Sequence, residues 1–364
     1  MSLKFSHYFA IALLLAGCSD DGGGATVDAA VFDAATPDAV SIDATPEFSL
    51  VEIIPATGFM TGGTEVLLSG VGFEAAGGGD PNVTLAGAPC ADIDVINDQT
   101  LRCTTPPGPL GNADVVVENA YGTATLQFRY FGLLGADGKT GEPGNLYAIN
   151  PETGESVTIG PVGFAITGLA LSPDGSVYGS QSTQSGNRGN ANLISIDPVT
   201  GAGTVVGLLE DAATGVFHNS TADIVFVGER LLGWSEFGDD PIEIDPATGA
   251  VTVIGNTGIA SSGSGLAASA EGTVHFAPGR VNASLFRLDP VTGLGTEGPV
   301  LTGGTFDNIN SMTMLNGVLY AVDTQDQGSI ASLQVLTTID PVTGVMTSIG
   351  PIPTGIDSIL GSDR

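Results

Sequence analysis

One five-residue turn, repeated at near-even intervals, constrains this chain more than any other feature. Asn150-Pro-Glu-Thr-Gly154 returns as Asp197-Pro-Val-Thr-Gly201, Asp245-Pro-Ala-Thr-Gly249, Asp289-Pro-Val-Thr-Gly293 and Asp340-Pro-Val-Thr-Gly344, at spacings of 47, 48, 44 and 51 residues. A period of that length marks one supersecondary unit used again and again. The turn is explained locally. Asp or Asn accepts hydrogen bonds from the backbone that follows it, Pro sets φ near −65°, and Gly takes the left-handed position that lets a strand return.

Strand-forming runs flank every copy. Leu146–Ile149, Leu193–Ile196 and Leu285–Leu288 lead in; Ser156–Ile159, Val251–Ile254 and Met346–Ile349 lead out. A second hairpin precedes them: Gly168-Leu-Ala-Leu171, the turn Ser172-Pro-Asp-Gly175, then Ser176-Val-Tyr-Gly179. Gly265–Ala268 with Thr273–Phe276, and Ser311–Met314 with Val318–Ala321, repeat it. Four strands per unit of ~47 residues make a β-propeller blade. The first unit lacks an inner strand, with Arg129-Tyr-Phe-Gly132 reading as its second. The last unit is followed by an extra one, Gly355–Gly361. Residues 132–364 are therefore predicted to form a five-bladed propeller closed by the C-terminal strand, leaving no open sheet edge. The Ser-Pro-Asp-Gly and Asp-Pro-x-Thr-Gly turns resemble those of NHL/SMP-30/quinoprotein-like propellers, a likeness that implies fold and not chemistry.

Upstream, residues 47–131 carry short alternating strands between glycine turns: Val51–Ile54, Glu65–Leu68, Asn82–Leu85, Ala91–Val95, Thr100–Cys103, Asp114–Val117 and Thr123–Phe128. Seven strands in this length predict an immunoglobulin-like β-sandwich. Pro55-Ala-Thr-Gly58, Gly62-Gly-Thr64, Gly70-Val-Gly-Phe73, Cys90, Leu101-Arg-Cys-Thr-Thr-Pro-Pro-Gly108 and Tyr121-Gly122 fall in an order that resembles the IPT/TIG domain. That resemblance includes its Cys pair and implies a spacer, or a module that contacts carbohydrate or protein. The fold class expected is all-β throughout.

The N-terminus reads as an address. Lys4, the apolar run Phe9–Leu15 and the tetrad Leu15-Ala-Gly-Cys18 make residues 1–18 a signal segment, too short to span a bilayer. The tetrad resembles the lipobox of bacterial lipoproteins, which implies lipid on Cys18 and cleavage before it. Ser19 resembles the residue that sorts such proteins to the outer membrane, so a lipid-anchored envelope protein is expected. Residues 19–46 follow as an Asp/Ala-rich tether, with Asp28, Asp33, Asp38 and Asp43 at a period of five that buries no face. With Cys18 lipidated, Cys90 and Cys103 remain as an even pair in an oxidising compartment, expected to be disulfide-bonded; a zinc site is the rival, weakened by the absence of a nearby His.

Composition excludes several classes. Forty Asp and Glu against nine Lys and Arg give a net charge of −31, which repels phosphate backbones and excludes a nucleic-acid partner. Glycine, at 54 residues, follows no triplet period, so collagen is excluded too.

Chain direction puts both tight turns at one end of the ring and the longer loops at the other, where binding groups concentrate. The candidates there are Phe217, His218, Trp234, Glu236, Asp239, Asp240, Phe306, Asp307, Asp323 and Asp326. Aromatic-plus-carboxylate loops can stack on and hydrogen-bond a sugar, or hold calcium; no other cofactor is expected. His275 stands where other units have Tyr178 and Tyr320, which assigns it to packing. With His218 the one other histidine after the signal segment, no three-histidine metal site or Ser-His-Asp set suggests itself. The expected function is non-enzymatic recognition of an extracellular glycan or envelope protein. The alternative is a polysaccharide hydrolase or lyase using pore carboxylates such as Asp223, Asp323 and Asp357.

Overall fold

The turn residues behave as their chemistry dictates. In the computed structural model the Gly of every copy has φ between 73° and 84°. Its N–H donates back to the Asp or Asn carbonyl at 2.8–2.9 Å. The side-chain oxygen accepts from the residue two positions on, as from Val199 to Asp197 and from Val342 to Asp340, both at 2.8 Å. The structure describes residues 48–74, 81–138, 142–181, 191–236, 238–261, 263–279, 284–304, 308–325 and 333–361. Cys18, the 19–46 tether, Phe306, Asp307 and Asp326 lie outside the described residues. All described strands fall within one unit, Thr45–Arg364, and no described residue is helical.

The sandwich has nine strands: β1 (Ser49–Ile54), β2 (Thr57–Phe59), β3 (Glu65–Val71), β4 (Asn82–Leu85), β5 (Ala88–Pro89), β6 (Ala91–Asn97), β7 (Thr100–Thr104), β8 (Gly111–Asn119) and β9 (Gly122–Phe131). They form the sheets β1-β3-β7-β6 and β2-β9-β8-β4-β5. Alternate residues of both, among them Val66, Leu68 and Leu101 against Val115, Val117 and Phe128, meet in one core. Cys90 and Cys103 are disulfide-bonded inside it. The sequence pattern gives seven strands; β2 and β5 are too short to alternate. One strand assignment needs correction, that of Arg129–Gly132 to the first repeat. Parallel pairing of Thr57–Phe59 with Arg129–Phe131 holds the end of β9 in the sandwich. The second strand of the first repeat is instead β10 (Leu133–Asp137).

Five sheets follow. The first is β10, β11 (Asn145–Ile149) and β12 (Ser156–Pro161), completed by the last strand of the chain. The second is β13 (Ile166–Leu171), β14 (Val177–Gln181), β15 (Asn192–Ile196) and β16 (Gly203–Leu208). A small hairpin, β17 (Glu210–Asp211) and β18 (Val216–Phe217), then adds to the outer edge of the third sheet. That sheet is β19 (Thr221–Val227), β20 (Arg230–Ser235), β21 (Asp240–Ile244) and β22 (Val251–Val253). The fourth is β23 (Gly265–Ala268), β24 (Val274–Ala277), β25 (Ser284–Leu288) and β26 (Gly295–Val300). The fifth is β27 (Asn308–Leu315), β28 (Val318–Gln325), β29 (Leu333–Ile339) and β30 (Met346–Ile352). Finally β31 (Ile356–Leu360) pairs antiparallel with β10. The inner strands β13, β19, β23, β27 and β31 touch in that order, and β31 touches β13, so the arrangement closes on itself.

Two glycine patterns let these sheets approach. Gly160, Gly207, Gly255 and Gly350 each lie against the Thr carbonyl of the next sheet's repeated turn, at Thr200, Thr248, Thr292 and Thr153. A Cβ at any of them would collide with that carbonyl. The last contact joins the fifth sheet to the first. At the axis, a Cβ on Gly168 would fall 2.7 Å from the Asp223 Cα, and one on Gly265 would fall 2.7 Å from the Met312 Cγ. The sandwich meets the tight-turn end: Phe59 and Leu110 pack under the first two sheets, and Arg129 Nη1 donates to the Val199 carbonyl at 3.0 Å.

Candidate functional site

Sheet three gathers most of the candidate side chains at its long-loop end. The β17–β18 hairpin delivers Phe217 and His218, the end of β20 delivers Trp234 and Glu236, and the start of β21 delivers Asp239 and Asp240. His218 Nδ1 shares a hydrogen bond with Ser235 Oγ at 2.9 Å. Its backbone is fixed on both sides: its N–H donates to Leu209 and its carbonyl accepts from Thr221 Oγ1, each at 2.9 Å. Ser235 stands opposite both Thr221 and Asp240.

Asp239 adopts a positive φ of 55°, a conformation Asp tolerates better than most residues. Its Oδ1 accepts from Ser261 N at 2.9 Å and Ser261 Oγ at 2.8 Å. Glu236 accepts from the backbone N–H of Gly263. These bonds tie the loop entering sheet four to sheet three. Burial raises the Glu236 carboxyl above its ordinary range against that N–H, with Asp239's charge adding a smaller push. Asp240 is raised by burial as well, whereas burial lowers His218, which favours the neutral imidazole. His218 Nε2 and Asp240 Oδ1 are buried without a hydrogen-bond partner. The product is a polar, acceptor-rich cluster at the loop end of sheet three.

Other candidates sit elsewhere. Trp234 is not a stacking platform. It is fully buried, stacked on Phe276 at 3.9 Å, with Nε1 donating to Ser261 Oγ at 2.7 Å. It continues the buried position of Leu232 along β20, so its ring belongs to the packing between sheets three and four. Asp323 is not a loop residue. β28 runs past it to Gln325, pairing it with Ile309 and Val335, and it is buried. His275 is buried in β24 opposite Ala267 and Arg287, and burial lowers its pKa.

The ring axis holds an arrangement the sequence reading missed. Asp223, fully buried on β19, accepts from its own neighbour Ile224 N at 3.0 Å, from Leu266 N on β23 at 2.9 Å and from Met312 N on β27 at 3.2 Å. Ser311 adds a side-chain hydrogen bond, and Ile359 N on β31 donates to Ser311 Oγ at 3.1 Å. One carboxylate thereby binds together the inner strands of sheets three, four and five, and through Ser311 that of sheet one. Burial pushes its pKa well up, against the backbone N–H donors that pull it down. The signal was available. Aligning the inner strands gives Gly168, Asp223, Gly265, Ser311 and Ser358 at one position, a single carboxylate among small residues.

The carboxylates named for polysaccharide cleavage are thus placed differently from each other. Asp223 and Asp323 are closed off from a polymer, and half-buried Asp357 accepts from Asn310 Nδ2 at 3.3 Å. Among the described residues no three His, Cys, Asp or Glu side chains come together as a metal-binding group.

Residues 49–130 match the IPT/TIG domain family model. No curated protein matches the chain in sequence. Among solved structures, an auxiliary nutrient binding protein from Bacteroides ovatus is similar at 16% identity and a TM-score of 0.32, over 84% of this chain and 70% of that one. A chain of a nidogen/laminin complex is similar at 13% identity and a TM-score of 0.42, over 64% of this chain and 100% of its own. The calcium-binding protein regucalcin from Agrobacterium tumefaciens is similar at 12% identity and a TM-score of 0.36, over 58% and 78%.

Proposed function

We propose that this chain is a surface-tethered, non-enzymatic recognition lipoprotein of the bacterial envelope. In this reading lipid on Cys18 and the 19–46 tether carry the IPT/TIG-like sandwich as a spacer. The five sheets act as a five-bladed propeller whose long-loop end binds an extracellular glycan or envelope protein. The observation that carries the binding role is the acceptor cluster on sheet three. There Glu236 and Asp239 are held by backbone donors, and His218 Nε2 and Asp240 Oδ1 are buried without partners. The part-exposed carboxylates of Glu236 and Asp239, already oriented by those donors, suit ligand hydroxyls and amides, because their orientation costs nothing at the moment of binding.

A glycan array, run beside pull-downs from envelope extracts, tests the binding role. The parent chain is expected to retain a ligand that the Glu236→Gln/Asp240→Asn variant loses. Equal capture by both, or polymer hydrolysis by the parent, overturns it. The anchor is tested separately: Cys18→Ser is expected to move the protein from membrane to soluble fractions, and continued membrane retention refutes lipidation.

A further inference from the structure

We infer that the β17–β18 hairpin is an acid-released flap, latched by the buried side chain of His218 beside the acceptor cluster on sheet three. The hairpin is an addition to the repeat. Residues 162–165 and 353–355 alone join the corresponding strands of other sheets, whereas 209–220 join β16 to β19. Its tip, 212–216, is exposed, and a single residue pair, Asp211 with Val251, joins it to β22. Both ends of the hairpin are anchored. Leu209 is buried in the packing between sheets two and three, and its N–H donates to the Ala191 carbonyl at 2.8 Å. At the other end a polar side chain, His218, takes the corresponding buried place at 5% exposure.

The surroundings of the imidazole suit its neutral form alone. Nδ1 shares a hydrogen bond with Ser235 Oγ, itself buried, and Nε2 is buried with no partner. The neutral ring can leave Nε2 its lone pair while Nδ1–H donates to Ser235. The imidazolium carries an N–H at both nitrogens, and the one at Nε2 finds no acceptor, so the charge is costly to hold there. The charged groups that act on the ring are Asp211 from the hairpin and Asp240 from β21. β19 and β20 present the neutral Thr221 and Ser235. Both carboxylates favour the charged ring, but burial outweighs them and lowers the pKa. A released ring titrates near 6.5, about its ordinary value. The docked flap therefore binds fewer protons than the released one. Docking is fully present above about pH 6.5 and weakens as pH falls toward the docked value, by at most about tenfold per pH unit. Glu236 and Asp240, raised by burial, act in the opposite sense, but from a lower starting range of about pH 4. Release withdraws the ring from Ser235 and opens that hydroxyl, with the buried side of Asp240, to solvent. That a ligand then uses them rests on the binding role proposed above; the movement itself does not.

Hydrogen exchange on the full chain, corrected for the intrinsic effect of pH, tests the flap. Between about pH 7.5 and about pH 5.5 the amides of 209–221 are expected to exchange about three- to tenfold faster. Those of the repeated turns are expected to stay unchanged. An NMR titration of the His218 imidazole is expected to give a midpoint below about 6.5. His218→Asn keeps an N–H donor near the Nδ1 position and cannot titrate, so it is expected to remove the pH response. Ser235→Ala is expected to loosen the flap already at neutral pH. Corrected exchange that ignores pH, an equal pH response in His218→Asn, an unmoved flap in Ser235→Ala, or a midpoint at or above about 6.5 overturns the inference. It fails separately from the binding role. A ligand captured by a chain whose flap ignores pH overturns the flap alone, whereas a responding flap with equal capture by parent and Glu236→Gln/Asp240→Asn overturns the binding role alone.

Discussion

Replacing Asp223 with Ala would test whether one carboxylate holds the ring together at its axis. The change removes the acceptor for the N–H groups of Ile224, Leu266 and Met312 and for Ser311. Each buried donor left unpaired costs about 1–3 kcal/mol. Part of that is offset because a buried carboxyl no longer has to be desolvated, so a net loss of about 3–5 kcal/mol is expected, as when one partner of a buried polar network is removed. For a unit of this size that corresponds to a fall in Tm of about 6–20 °C. Asp223→Asn keeps the shape but turns an amide toward donors, and should fall between Ala and the parent. The sign with pH is also fixed. Because the folded pKa is raised well above the unfolded value, the folded state holds the proton longer. The stabilisation is then fully present below about pH 4 and is lost as pH rises through the folded pKa. Calorimetric melts of the three proteins between pH 4 and 8 measure both effects. A Tm for Asp223→Ala within 1 °C of the parent, or an advantage of the parent that grows with pH, would refute the reasoning.

The repeated turns should behave oppositely in acid. Backbone N–H groups of Ala247, Val291 and Val342 hold Asp245, Asp289 and Asp340 below their usual range, so their contribution is present above about pH 4 and lost as pH falls through the folded values. Asp245→Asn, which copies the residue already used at Asn150, should soften that acid loss in urea melts below pH 4; an unchanged acid limb counts against it. Reducing the Cys90–Cys103 bridge, which spans 13 residues, should cost about 3 kcal/mol. It should lower the sandwich transition in calorimetry and spare the ring; a shift of the ring transition alone contradicts the assignment. Gly350→Ala drives a Cβ into the Thr153 carbonyl between the last sheet and the first. A loss of about 1–3 kcal/mol is expected, read as a lower midpoint in urea, and a neutral result would mean the closing contact is loose.

What could be read from the sequence depended on how far each interaction reaches along the chain. The Asp-Pro-x-Thr-Gly turns were legible because donor, acceptor and left-handed Gly lie within five residues. The IPT/TIG segment was legible for a similar reason, since its turns and Cys pair fall in a fixed order. The end of β9 was not, because it is decided by parallel pairing with Thr57–Phe59, some seventy residues earlier. Trp234 and Asp323 stand among the long-loop candidates in the sequence because each precedes an irregular, acid-bearing stretch. Strand pairing instead carries β20 to Ser235 and β28 to Gln325. The cluster on sheet three is half legible, because its acids and His218 follow one another along 217–240. That stretch does not supply Ser261 or the backbone of Gly263, which arrive from the loop before the next sheet.

The same distinction bears on where ligands can act. Residues that share an end of the ring need not share a sequence neighbourhood, and the two ends have different chemistry. At the long-loop end, acids are turned inward and held by N–H donors from neighbouring segments, as Glu236 is by Gly263 and Asp239 by Ser261. At the tight-turn end, Asp174, Glu229 and Glu271 stand exposed on the turns between first and second strands. The propeller region carries 24 acids against six bases, so net charge cannot distinguish the two. Burial can: half-buried acids fixed by N–H donors keep oriented acceptors for hydroxyls and amides, whereas exposed acids are screened by water and salt. Salt tests this experimentally. Binding at the sheet-three acids, which depends on direct hydrogen bonds, should change little between low and physiological ionic strength, and a steep fall would point to long-range charge instead.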